Sequence, residues 1–282
     1  MSRLLLGVLA TLLVVLVVAS GSPAATPPHR IVSLSPTATE TLFAIGAGRQ
    51  IIAVDDQSDY PKQAPHTSLS GFNPNVEAIA GYRPDLVVVY YDPNGLAGTL
   101  RKLGIRVLVQ DAPKNLDGAY AQMLALGRIT GHLGNATRLV ASTKARIRAL
   151  VSKSAPRARG LTVYHELGPD LYSATSSTFI GRVYSLFGLK NIADAADAGG
   201  AGYPKLSPEY VVSQSPDIVV LADIRCCAQT PHTVAARPGW SHVAAVRSGT
   251  IVRIDDSIAS RWGPRIVDFV RAVAAALAHL RT

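Results

Sequence analysis

Two glutamates, Glu77 and Glu209, are each separated by six residues from a Pro-Asp pair and an aliphatic run. The first copy runs Asn75-Val76-Glu77 to Pro84-Asp85-Leu86-Val87-Val88-Val89, the second Ser207-Pro208-Glu209 to Pro216-Asp217-Ile218-Val219-Val220-Leu221. Asn75 and Ser207 are good helix caps, and Pro208 suits a first helical position. Each glutamate therefore falls in the first turn of a short helix that a proline ends before a buried strand. There a carboxylate complements the positive helix end, an effect of some tenths of a kcal/mol, which suffices to explain one copy. Two copies with identical spacing, about one domain apart, suggest duplicated lobes with matching surface points.

Aromatic residues form the second group: Tyr60, Phe72, Tyr91, Tyr172, Tyr203 and Trp262 all fall on loops at strand ends. Phe72 lies five residues before Glu77 and Tyr203 six before Glu209. Loops beyond the carboxyl ends of parallel strands are where α/β folds hold ligands. Facing loops of two lobes would make an aromatic-lined cleft for a flat, largely apolar ligand, with packing as the alternative use of any single ring. Arg225, Arg261 and Arg265 could hold anionic groups of that ligand or lie as solvated surface residues.

Catalytic chemistry is not signalled. The chain carries no G-x-S-x-G elbow, no P-loop and no H-E-x-x-H, and reads as a non-enzyme. His165-Glu166, at a strand end, reads as an ordinary hydrogen-bonded loop pair. The seven histidines are dispersed, which argues against a dedicated four-ligand metal carrier, and no metal site is expected. Cys226 and Cys227, the only cysteines, are adjacent, so they suit a vicinal disulfide of structural role; an exported redox protein using them is the rival. The net charge of +9 comes from scattered Lys and Arg with no basic block, so no nucleic-acid partner is expected.

The elements that must position these groups follow from patterning. With 282 residues, 48% hydrophobic and 17% charged, the chain can build one large or two small α/β domains. Arg3, the apolar run Leu4 to Ala19, and the small-residue triplets Ala19-Ser20-Gly21 and Ser22-Pro23-Ala24 make 1–25 a secretory signal, with an uncleaved anchor as the alternative. That places the protein in the periplasm or at the outer face of the cytoplasmic membrane. A first lobe over 30–115 opens with an edge-like strand at Arg30 to Leu34. Thr37 and Glu40 have capping-box spacing ahead of Leu42, Phe43 and Ile45. Strands at 51–54, 86–89 and 105–109 follow, with a polar loop over 55–65. A helical tract over 116–156 holds one helix to Thr130, a break and cap at Gly134-Asn135, and a helix from Ala136 to Ser154 with Leu139, Thr143, Ile147 and Leu150 on one face. This second helix can be the rigid connection to a second lobe over 157–282. That lobe repeats the plan, with strands at 161–164, 172–174, 218–221 and 250–254, and ends in a helix striped by Ile266, Val270, Val273, Leu277 and Leu280. Strands alternating with helices imply mainly parallel sheets.

Ile31-Val32-Ser33-Leu34-Ser35-Pro36, Ser58-Asp59-Tyr60-Pro61, Asn73-Pro74-Asn75-Val76-Glu77 and Pro84-Asp85-Leu86-Val87 resemble the helix-linked, class III periplasmic binding proteins for vitamin B12 and ferric siderophores. The similarity covers about Arg30 to Leu280, and the B12 type is nearest. It implies two Rossmann-like lobes joined by one long helix, with limited hinge motion. It also implies that Glu77 and Glu209 dock on arginines of the two permease subunits of an ABC importer, a permease dimer that works with its ATPase subunits. Tyr60 matches a ligand-contacting tyrosine of that family. Tyr203 falls where the family uses tryptophan, and the matching offset in the first lobe is Gly71, with Phe72 beside it. Tyr60, Phe72, Tyr91, Tyr203 and Trp262 are the expected ligand contacts. The expectation is a monomer without a cofactor of its own. Its small-molecule ligand is a cobalt corrinoid, with ferric siderophore or haem as the alternative, and an adhesion or envelope-structural module is the rival from another class.

Overall fold

Aliphatic runs without polar alternation become strands covered on both faces, as parallel sheets require. The computed structural model describes residues 26–280, so the expected secretion signal over 1–25 lies outside them. The first sheet holds β1 (Ile31–Leu34), β2 (Ile51–Asp55), β3 (His66–Leu69), β4 (Leu86–Val89) and β5 (Arg106–Val109). Its order is β3-β2-β1-β4-β5, and every pairing is parallel. The second holds β6 (Thr162–Glu166), β7 (Lys190–Asn191), β8 (Ile218–Leu221) and β9 (Ile251–Arg253), ordered β7-β6-β8-β9 and again parallel. In the first lobe α1 (Pro36–Ala44), α2 (Val76–Gly81) and α3 (Leu96–Lys102) link the strands. The helices α4 (Leu116–Ile129) and α5 (Leu133–Ser154) join the lobes. In the second lobe come α6 (Phe179–Ser185), α7 (Pro208–Gln214), α8 (Pro231–Ala235), α9 (Ala244–Ser248), α10 (Asp256–Ser260) and α11 (Ile266–His279). The fold is α/β, two parallel-sheet lobes joined by a long helix.

Alternate residues of β4 show why its run is unbroken. Leu86 and Val88 face the core shared with α1, while Val87 and Val89 face the core under α2 and α3. The two joining helices are rooted in both lobes. Leu126 of α4 and Ala136 of α5 lie in the first lobe's core, whereas Ala119 and Ile147 of the same helices lie in the second's. At 22 residues α5 spans about 33 Å.

The repeated motif has a repeated role. Asp85 accepts the backbone N–H groups of His29 and Arg30 at 2.8 and 3.0 Å, and so ties down the start of β1. Asp217 accepts the Thr162 N–H and hydroxyl at 2.8 and 2.9 Å, and so ties down the start of β6. Arg83 (φ 48°) and Ser215 (φ 42°), each just before the proline, close the two helices in the left-handed region.

Four local expectations are corrected. Ile31–Leu34 is the middle strand of its sheet rather than an edge, paired with β2 on one side and β4 on the other, and the Ser33 hydroxyl inside it is satisfied by Ser35 O and Thr39. The cap of α1 is Ser35, which accepts Ala38 N–H, and Glu40 takes no part in a capping box because its carboxylate reaches the other lobe. Gly134 and Asn135 lie inside α5; the break falls at Gly131, whose φ of 78° suits glycine. Tyr172 makes only an isolated bridge with Lys205 instead of a strand, and the polar β3 is a fifth strand that the hydrophobic pattern conceals.

Candidate functional site

At the carboxyl ends of β1, β2 and β4, Ser35 just after β1, Asp55 as the last residue of β2 and Tyr90 just after β4 face the segment that leaves β9. Between them lies a cavity of about 300 Å³. Phe72, Tyr90, Gln57 and Asp55 wall it from the first lobe, and Ser257, Ser260, Arg261 and Trp262 from the second. The Phe72 ring meets Tyr90 edge-on at 5.8 Å and remains 67% exposed, so it presents a free aromatic face.

Charge holds the lobes together behind this cavity. Glu40, on α1, is 2% exposed. Its carboxylate accepts Arg261 Nη1 at 2.9 Å and Arg265 Nε and Nη2 at 3.0 and 2.6 Å. Arg261 also donates to Asp59 at 2.8 Å and to the Gln57 carbonyl at 2.7 Å. Arg225 donates to the other Asp59 oxygen at 2.6 Å. Burial would raise the Asp59 carboxyl, yet Arg225 and Arg261 outweigh it and hold the group below its ordinary range. Trp262 Nε1 donates to Gln122 at 2.8 Å and adds a neutral bond across the same junction.

Asp55 is the exception. It is 1% exposed, lines the cavity, and neither carboxylate oxygen has a hydrogen-bond partner. Burial pushes it up to about 6 from 3.8, while Ser58 and Arg261 pull the other way and Asp56 adds to the rise. The second lobe carries a comparable group. Asp223, fully buried beside Glu166, is pushed above the ordinary carboxylate range by burial and by the Glu166 charge. Glu166 itself is clamped bidentately by Arg237 at 2.6 Å to each oxygen.

The structure brings together Phe72 and Trp262 of the expected ligand contacts. Tyr91 stands behind them, donating its hydroxyl to Phe72 O at 2.6 Å. Tyr60 lies on the far side of the clamp, under the Arg265 guanidinium at 4.4 Å. Tyr203, like Tyr172, is 47% exposed on the second lobe and does not line the cavity. Tyr90, Asp55 and Gln57 were not singled out by spacing, although Asp55 ends a β-branched strand, where α/β ligands sit. Arg261 and Arg265 are largely buried against protein carboxylates, whereas Arg225 pairs with Asp59 and Asp255 while its side chain stays half exposed. His165 and Glu166 are both fully buried in β6 and not in a loop. Tyr184 hydroxyl binds His165 Nδ1 at 2.5 Å, and burial drives that imidazole down to about 3, which keeps it neutral. Cys226 and Cys227 are bonded to each other, and the Arg225 and Cys226 N–H groups are anchored on Asp256. Among the described residues no group of three or more His, Cys, Asp or Glu is placed to hold a metal ion.

Glu77 and Glu209 sit in the first turns of α2 and α7, capped by Asn75 and Ser207 as their spacing predicts. Both are exposed, one on each lobe.

The profile of the periplasmic binding protein family matches residues 31–258. The chain belongs to that family. A cobalamin-binding protein of Halobacterium salinarum is 32% identical over 257 residues, covering 86% of this chain and 67% of that protein. An ABC transporter substrate-binding lipoprotein of Bacillus subtilis, YvrC, described as uncharacterized, is 27% identical over 256 residues and covers 88% and 79%. Among solved structures, the periplasmic heme-binding protein RhuT of Roseiflexus superposes with a TM-score of 0.75 at 26% identity, covering 88% of this chain and 97% of RhuT. This family member thus shares its two-lobed plan with binding proteins of differing ligands. Among its described residues no helix is long and apolar enough to cross a membrane.

Two outcomes follow from the buried charges. Glu40→Ala leaves Arg265 without its carboxylate inside the junction and is expected to cost about 3–5 kcal/mol in urea unfolding. Asp55 binds its proton more tightly folded than unfolded, so it penalises folding increasingly as pH rises from about 4 through 6. Asp55→Asn is therefore expected to match wild type below pH 4 and to exceed it by up to about 3 kcal/mol at pH 8, read from unfolding at both pH values.

Proposed function

We propose that this protein is the exported binding component of an ABC importer that captures a corrinoid in the interlobe cleft. The observation that carries this reading is the pairing of charge around the cavity. Arg225, Arg261 and Arg265 are all engaged by Glu40, Asp59 or Asp255. What is left for a ligand is aromatic surface from Phe72, Tyr90 and Trp262, together with neutral hydroxyl and amide groups and the single unpaired carboxyl of Asp55. Such a lining suits a flat, uncharged macrocycle edged with amides better than one edged with carboxylates. The cobalamin-binding relative supports the same choice. A corrin is larger than this cavity of about 300 Å³, so on this reading capture entails parting of the lobes about α5. Haem is the second reading, supported by the fold shared with RhuT. It lacks an unpaired arginine for its propionates among the described cavity residues.

Delivery rests on Glu77 and Glu209. One exposed carboxylate per lobe, each at a helix start, lets a permease dimer with arginines at matching points register the distance between lobes. Calorimetric titration of the purified chain with cyanocobalamin should give one-to-one, submicromolar binding; haem binding without cobalamin binding would discard the corrinoid. Glu77→Ala and Glu209→Ala should leave that affinity within about twofold, since neither residue lines the cavity. Each should lower uptake by a reconstituted importer at least about tenfold, the scale of losing one charge-assisted contact. Weakened ligand binding in either variant would falsify the docking role.

A further inference from the structure

The cavity contains one group that the clamp, the core and the proposed docking points leave unused. Asp55 is sequestered at the end of β2 with both oxygens unpartnered. A buried polar group without a partner is costly, and native proteins keep few of them. Its neighbours supply no close hydrogen bond: the Arg261 guanidinium is directed to Glu40, Asp59 and the Gln57 carbonyl, and the Ser58 hydroxyl lies 3.0 Å from Thr39 Oγ1, whose own hydrogen goes to Ser33. Nor does the chain fill the space beside it. A Cβ at Gly71 would lie 2.5 Å from Asp55 Oδ2 and 3.4 Å from the Tyr90 ring, so glycine here keeps the carboxyl's surroundings clear. Asp256, the other carboxylate of the lining, is already satisfied by the Arg225 and Cys226 N–H groups at 3.1 and 2.9 Å. Asp55 is thus the acceptor in the wall that still lacks a donor.

We propose that Asp55 selects the ligand by accepting an amide N–H from its periphery, and disfavours any ligand that sets a carboxylate against the same wall. This rests on the corrinoid reading and sharpens it. The corrin ring is edged with primary amides, whose N–H groups can make the missing bond. Haem and carboxylate siderophores bring negative charge to a buried acceptor with no free cation among the described residues lining the cavity. Selection of this kind works mainly by rejection, since an unpaired or like-charged buried group costs more than a good bond gains.

The test is calorimetry at pH 7.5 on wild type and Asp55→Asn. The probes are cyanocobalamin and its monocarboxylic acids, in which one peripheral amide has been hydrolysed. Asparagine keeps the size and one acceptor oxygen but removes the charge; circular dichroism and melting confirm its fold. At least one monocarboxylate is expected to bind wild type about tenfold or more weakly than cyanocobalamin, with that gap falling to about threefold in Asp55→Asn. Equal discrimination by the two proteins overturns the proposal while leaving the corrinoid reading intact. If wild type binds no cobalamin, the corrinoid reading fails, and haem becomes the probe. Tighter haem binding by Asp55→Asn then upholds rejection of carboxylates, and equal binding overturns it. Silence from both ligands with both proteins overturns both ideas.

Discussion

Glu40 holds a charge that has no business inside a protein unless Arg261 and Arg265 are with it. Removing a carboxylate from water costs several kcal/mol even after relaxation, and only close partners restore it. Those partners lie more than two hundred residues away, in the segment between β9 and α11. The closed junction therefore exists only when both lobes contribute. Buried ion pairs roughly break even against water, unlike an apolar seam of the same area. A junction closed by Glu40, Asp59 and three arginines can consequently part and re-form at modest cost, while its geometry in the closed state is fixed by paired hydrogen bonds. A binding protein that must both hold and release its ligand is served by that kind of closure.

This same interaction explains where reading the sequence succeeds and where it stops. The lobes, the parallel strands, the joining helix and the two capped glutamates were legible because each depends on residues within one turn or one strand of each other. Asn75 caps α2 whatever the rest of the chain does. Glu40 was misread for the converse reason. Three residues after Thr37 it has the spacing of a capping box, and spacing does not reveal that a carboxylate has arginine partners in the other lobe. Ile31–Leu34 was placed at an edge, because its pairing with β2 on one side and β4 on the other depends on residues far along the chain. The short polar strand at His66–Leu69 has no hydrophobic face to report it.

The cleft shows the same division. Phe72 and Trp262 could be picked out as aromatics on loops at strand ends, but their pairing across the cavity required the lobes to be assembled. Tyr60 carries a motif, and the structure gives its ring a task in the junction, under Arg265. Asp55 was invisible because a single aspartate after a strand is commonplace. Only burial, the absence of a partner and the glycine beside it distinguish this one.

Closure and the long helix are mechanically one device. Arg265 immediately precedes α11, and α11 packs along α5, the helix rooted in both cores. On the binding reading, a ligand between Phe72 and Trp262 would act on the segment carrying Arg261, five residues before α11 begins. Because α5 enters both cores as a single 22-residue rod, the lobes can tilt about it but cannot slide freely past one another. On the docking reading, a tilt of this kind changes the separation of Glu77 and Glu209 far more than it changes either helix that carries them. Each glutamate is fixed in its own lobe by a capped first turn ahead of a buried strand. The stiffness of that local frame is what would let a partner read occupancy of the cleft from two carboxylates that never touch the ligand.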